Sequence, residues 1–131
     1  MDRVDLLNDI LAQNPNDAFA RYGLAMEYSK NGNLEQALGE FGKLLAANPD
    51  YTAGYFMAAQ TLVRAERSEE ARKMLVEGIR AAQRTRNRHA QTEMEDARRA
   101  ELIAKKHLSS FLPLEVQTGC RAMRFMVAST T

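Results

Sequence analysis

Two histidines, one cysteine and a short acidic run are the residues of this 131-residue chain whose types could do catalytic or metal chemistry. His89 and His107 both fall in a stretch patterned as a single helix. Their separation is about 27 Å at helical rise, so the two cannot share a metal ion. Glu93, Glu95 and Asp96 form a charge run that reads as a solvated helix face, and Cys120 carries no sequence signal for activation. No glycine-rich phosphate loop and no metal-spaced motif occurs. The expectation is a chain that is not an enzyme and holds neither metal nor cofactor.

A different constellation is periodic. Phe19, Tyr22, Met26 and Ser29 are spaced three or four apart; one period on stand Ala53, Phe56, Gln60 and Val63, and after them Asn87, Ala90, Met94 and Ala97. Aromatic and methionine side chains offer large apolar contact and an adaptable fit, the chemistry of peptide recognition. They could equally pack between neighbouring helices, and for Tyr22, Met26, Phe56 and Met94 both readings stay open; for Ala53 and Ala90 packing is favoured.

The elements that must position this stripe follow from a proline frame. Asn14-Pro15 recurs as Asn48-Pro49, and the residues between them read as two amphipathic helices around a turn at Asn31-Gly32-Asn33. Leu24, Ala25 and Tyr28 share one face, with the small Ala25 admitting a close neighbour. Gly32 suits the left-handed cap that ends the first helix, and Asn33 suits the start of the next. Ala37, Phe41 and Leu44 form the inward stripe of the second helix, and Pro49 ends it. Such a hairpin cannot bury its apolar face alone, so it needs neighbours.

Leu24, Ala25, Tyr28, Gly32, Leu34, Ala37, Phe41, Leu44 and Pro49 fall in the order and spacing of a tetratricopeptide repeat, and the unit 18–51 resembles that family. The resemblance implies an all-α, right-handed solenoid of antiparallel helix hairpins, about five helices in all, followed by an irregular C-terminal tail. Residues 2–15 match a preceding half-repeat: Leu7, Ile10, Leu11 and Pro15 stand one period before Phe41, Leu44, Leu45 and Pro49. With Val4, Leu7, Ile10 and Leu11 on one face, this helix is expected to cap the array.

A second unit runs over 52–85, with Tyr55 where the first unit has Arg21, Ala58, Ala59 and Leu62 on its first helix, and Ala71, Leu75 and Ile79 on its second. Ser68, Glu69 and Glu70 read as a helix start. Glu66 stands where glycine ended the earlier helix, and Gln83 replaces proline, so both breaks are softer. A capping helix is expected over 87–107, with His89 a packed, partly exposed histidine at the aromatic position of its partial repeat. Residues 108–131 lie outside the resemblance. Pro113 and Gly119 break the helical pattern there and Leu114–Thr118 alternates like a strand, so a tail, mobile or docked on its own domain or a neighbour's, is expected.

In tetratricopeptide arrays the first helices line a concave surface, so the resemblance implies a groove for an apolar or amphipathic peptide. Its lining would be Phe19, Tyr22, Met26, Ser29, Phe56, Gln60, Val63, Ala90, Met94 and Ala97. The lysine, asparagine and arginine clamp with which part of the family grips chaperone C-termini is missing, since Tyr22, Met26 and Met57 occupy those positions.

Composition restricts the partner. Net charge is +1, which disfavours bulk polyanion binding. The cluster Arg80, Arg84, Arg86 and Arg88 lacks the stacking aromatics of a nucleic-acid site and suits a helix C-terminus instead. Residues 1–63 carry four basic and eight acidic side chains, a net −4, whereas residues 64–106 carry twelve and eight, a net +4. That asymmetry keeps self-association through opposite-charge ends, the groove or the tail as the alternative to a protein or peptide partner. No apolar run approaches a membrane span, Met1–Asp5 lacks a signal core, and a lone cysteine fits a reduced compartment. The expectation is a cytoplasmic adaptor or scaffold.

Overall fold

The computed structural model describes residues 2–111, with side chains as far as Ala104. Among these residues are α1 (Arg3–Gln13), α2 (Ala18–Lys30), α3 (Leu34–Ala47), α4 (Thr52–Arg64), α5 (Ser68–Thr85) and α6 (Arg88–Phe111), and no strand. The count is six where about five were expected, and α6 continues past His107 to Phe111. The strand-like reading of Leu114–Thr118, and Pro113, Gly119 and Cys120, lie outside the described residues. The chain divides into two compact units, Met1–Arg98 and Arg99–Thr131, with the boundary inside α6. The packing that follows is that of the first unit.

Two kinds of turn end the helices. After α1 and α3 the chain turns at Asn-Pro: the Asn14 and Asn48 amides donate to Ile10 O and Leu44 O at 2.9 and 2.8 Å. Proline cannot continue the helix and pushes the asparagine before it out of helical geometry. After α2, α4 and α5 the turn is a left-handed cap. Gly32 (φ 85°), Glu66 (φ 61°) and Arg86 (φ 58°) hold the left-handed position. In each case the next amide reaches back to close the helix, Asn33 to Tyr28 O, Arg67 to Leu62 O and Asn87 to Ala82 O, at 2.8–2.9 Å. Asn33 precedes α3 as expected but makes no side-chain cap bond, and α5 starts at Ser68 as expected, with Glu69 and Glu70 in its first turn and Arg67 before it.

A non-glycine residue in the left-handed region costs about 1 kcal/mol. Glu66→Gly is therefore expected to raise the thermal midpoint by a few degrees. A melt no higher than wild type would show that the Glu66 side chain compensates.

Gln83 has a larger effect than a softened break. With no proline there, α5 continues to Thr85 and ends in the left-handed turn at Arg86. The helices α2 and α4 begin at Ala18 and Thr52, but α6 begins only at Arg88. The repeat therefore slips by two positions at this junction.

Small residues set the core. Leu11 of α1 packs with Ala20 and Leu24 of α2. Ala25, Ala37, Phe41, Leu44 and Ala58 join α2, α3 and α4. Tyr55, Ala59 and Leu62 of α4 meet Ala71, Leu75 and Ile79 of α5 together with Met94 of α6. Gly78 of α5 lies where any side chain would collide, since a Cβ there would stand 2.6 Å from Tyr55 Cβ and 2.4 Å from Met94 Sδ.

Position 21 and its repeat counterpart, 55, do one job with different chemistry. Arg21 donates to Pro15 O at 3.0 Å and pairs with Glu40 at 2.8 Å. Tyr55 OH donates to Pro49 O at 2.7 Å, and Arg84 reaches the same carbonyl and Asp50. Each side chain pins the proline turn that precedes its helix.

One expectation for α1 fails. Ile10 is 37% exposed, while Leu44, its counterpart, is fully buried. Leu44 belongs to a core cluster drawn from α2, α3 and α4, with its side chain against Gly54 of α4, whereas the cluster under α1 is drawn from α1 and α2 alone. Only Leu11 of the expected face is buried, and Val4 and Leu7 are half-buried.

Candidate functional site

The first helix of each hairpin, α2 and α4, and the helix α6 that follows them contribute to a recess of about 320 Å³. Tyr22 comes from α2, Thr52, Ala53, Phe56 and Met57 from α4, and His89, Ala90, Glu93 and Met94 from α6, with Asn87 at the turn. The lining combines aromatic and thioether surface from α2 and α4 with an imidazole and a carboxylate from α6.

Tyr22 links this recess to the core. Its ring meets Phe41 edge-on at 6.3 Å and Tyr51 at 5.4 Å. Burial first, and then the neighbouring Tyr51, raises the Tyr22 phenol above its ordinary range. Burial and then Asp17 do the same to Tyr51. Both hydroxyls therefore stay neutral near pH 7 and can donate or accept a hydrogen bond.

The residues marked from sequence separate into three groups. Tyr22, Met26, Phe56, Ala90 and Ala97 are half-buried, no more exposed in class than Tyr28 but far more than Phe41 or Leu75. Phe19, Gln60 and Val63 are exposed, Phe19 to 77%. Ala53, expected to pack, is exposed as well. Ser29 and Met94 are corrections. Met94 is fully buried and belongs to the core. Ser29 is buried in the α2–α4 seam, 3.1 Å from Thr61 Oγ1. Thr61 spends its proton on Met57 O at 2.8 Å, so Ser29 donates to Thr61 and accepts from Arg64 Nη1 at 2.8 Å. Both hydroxyl protons are used within this network, and burial keeps Ser29 away from a ligand.

The two-position slip explains Met94. Carried through the longer interval, the core position of Ala58 falls on Met94, and the open position of Ala53 falls on His89. The expected packed histidine is therefore exposed, with 87% of its side chain open and Nε2 3.8 Å from Glu93. Thr52, Met57, His89 and Glu93 line the recess but were missed from sequence, and for the two on α6 only the absent proline at position 83 hinted at the change of phase.

A second hollow, about 440 Å³, lies between α3 and α5. Leu38, Phe41, Leu62 and Met74 are apolar members of its lining, and Arg67, Glu70, Lys73 and Glu77 are charged members. These charges are largely matched locally: Arg67 bonds Glu70 at 2.7 Å and Glu35 at 2.9 Å. The hydrogen bond from Arg67 holds the Glu70 carboxyl below its usual range. The basic cluster is also partly tied down, with Arg80 on Glu77 and Arg84 on Asp50 at 2.8 Å. Among the described residues no group of three or more histidine, cysteine, aspartate or glutamate side chains could hold a metal ion.

Family models for the tetratricopeptide repeat match residues 28–105 and 6–39. The chain belongs to the tetratricopeptide repeat family. Its fold is the family's helical-repeat solenoid. A tetratricopeptide repeat domain protein of Salinibacter ruber, solved in solution, is 31% identical over 67% of this chain and 89% of its own, with a TM-score of 0.64. A Bordetella parapertussis protein is 21% identical over 79% of this chain and 90% of its own, with a TM-score of 0.70. The type III secretion translocator chaperone SycD of Yersinia enterocolitica, in an alternative dimer, is 14% identical over 78% of each chain, with a TM-score of 0.71. These last two likenesses concern the fold alone. No curated protein matches the chain. Tetratricopeptide repeat proteins are generally non-catalytic interaction modules, and the repeats of this chain support a protein-interaction module. No described helix is long and apolar enough to cross a membrane.

Proposed function

We propose that this tetratricopeptide repeat chain acts as an adaptor, taking an apolar or amphipathic segment of a protein partner in the recess between α2, α4 and α6. The supporting observation is the convergence there of Tyr22, Phe56 and Met57 with His89 and Glu93. The first three offer apolar surface that is already held in place by packing, which limits the ordering cost of binding. His89 and Glu93 supply polar groups on the α6 side, so the segment presents an apolar side chain to α2 and α4 and a hydrogen-bonding or charged group to α6. Cytoplasmic function fits the lone cysteine.

Peptides selected from a displayed random library against the wild-type chain provide the probe. Phe56→Ala should weaken their binding about tenfold or more, as for interface anchors. His89→Ala with Glu93→Ala should also weaken it, while Arg80→Ala on α5 should leave affinity unchanged. Phe56 also touches the core, so the His89 and Glu93 pair, both largely solvent-facing, separates loss of binding from loss of fold. Retained affinity in both recess variants, with melts like wild type, would exclude this groove.

A further inference from the structure

Large apolar side chains are exposed at six positions among the described residues, and four of these form two pairs on different helices. Leu6 and Ile10 are one turn apart on α1; Leu102 and Ile103 are adjacent on α6. Acidic side chains outnumber basic ones beside the first pair and basic ones outnumber acidic ones beside the second; Arg3, on the stripe of Leu6 and Ile10, is paired with Glu27, and Asp96 and Glu101 stand near Ile103 and Leu102. Asp2, Asp5 and Asp9, all exposed, run at helical spacing along the stripe next to Leu6 and Ile10. Arg98 and Arg99, both exposed, precede Leu102 and Ile103 by one turn, and the sequence continues into Lys105 and Lys106. The opposite net charges of the two halves are thus concentrated beside exposed apolar surface.

We propose that the α1 face of one copy docks on the Leu102–Ile103 face of α6 in a second copy, acids against arginines. Pairing α1 with α1, or α6 with α6, would set like charges opposite each other, which opposes both symmetric arrangements. The contact is therefore heterologous, and successive copies form rings or open chains. Two apolar pairs make a small contact area, so the association is weak and depends on charge. It uses none of the recess residues and stands independently of the peptide-binding proposal.

Sedimentation of the full chain over a concentration series is the test. At about 50 mM salt the mean mass should rise with concentration, and at about 500 mM the apparent dissociation constant should increase about tenfold or more, because exposed charges are screened. Asp5→Lys with Asp9→Lys should be monomeric alone, as should Arg98→Glu with Arg99→Glu, and the two variants mixed should associate again. Circular dichroism establishes that α1 survives its charge reversal. Ile103→Glu, a change at an exposed site on the other face, should abolish association without touching α1. A wild type that stays monomeric to about 1 mM at low salt overturns the proposal. So does a charge-reversed variant that self-associates like wild type, or a mixture that stays monomeric.

Discussion

Phe41→Ala is expected to lower the unfolding free energy by about 3–5 kcal/mol, the range for large aromatic side chains removed from cores. Phe41 is almost fully buried, packs among residues of α2, α3 and α4, and supports the Tyr22 ring edge-on. A small domain has only about 5–15 kcal/mol in total, so the variant should be largely unfolded at body temperature. The loss should not stay local, because each hairpin is stable only through its neighbours. Chemical denaturation followed by circular dichroism measures it. A midpoint within error of wild type would mean that Phe41 is not central to the packing described.

Gly78→Val should cost about 3 kcal/mol for the opposite reason, overfilling. The new Cβ would meet Tyr55 Cβ, which cannot move without its backbone, and Met94 Sδ, which can. Relief therefore requires α4 and α5 to separate. Gly42 provides an internal contrast: it also sits in a helix, but a Cβ there would have nothing within 4 Å. Gly42→Ala should stabilise by about 0.5–1 kcal/mol through helix propensity alone. Thermal melts of the two variants should thus move in opposite directions. If both rise, the α4–α5 approach is looser than these distances require.

Why some of this is readable in the sequence follows from how each feature is encoded. The helices of the first unit are set by local chemistry, two Asn-Pro breaks and a Gly32 cap, and local chemistry is visible in the letters. The family resemblance and the all-α solenoid rest on those signals. On α2 and α4 the same period reaches Tyr22 and Phe56 of the recess but not Phe19, Met26, Ser29, Gln60 or Val63. On α6 the period fails, because glutamine at 83 does not stop a helix and nothing nearby marks where the next turn must fall. A shift of two positions there exchanges inside for outside, which buries Met94 and exposes His89. Ser29 sits on the right stripe, but its burial depends on Thr61 and Arg64, which are distant in the sequence. Ile10 matches a core position in pattern, but pattern cannot say whether the covering helix is present. Gly78 gives no signal at all, since a glycine required for close approach reads like any other.

The change of phase after α5 bears on how such an array could grow. A copy of the segment 18–51 inserted before Thr52 would enter in step, because α2 and α4 begin one full period apart and the Asn-Pro junction would be duplicated with it. Past α5 the interval is longer by two residues, and α6 keeps its packing face only by carrying that longer spacing, with Met94 at the core position of Ala58. A copy of 18–51 joined directly after Thr85 would lack those two residues, so growth at that end needs the longer junction to be duplicated with the module.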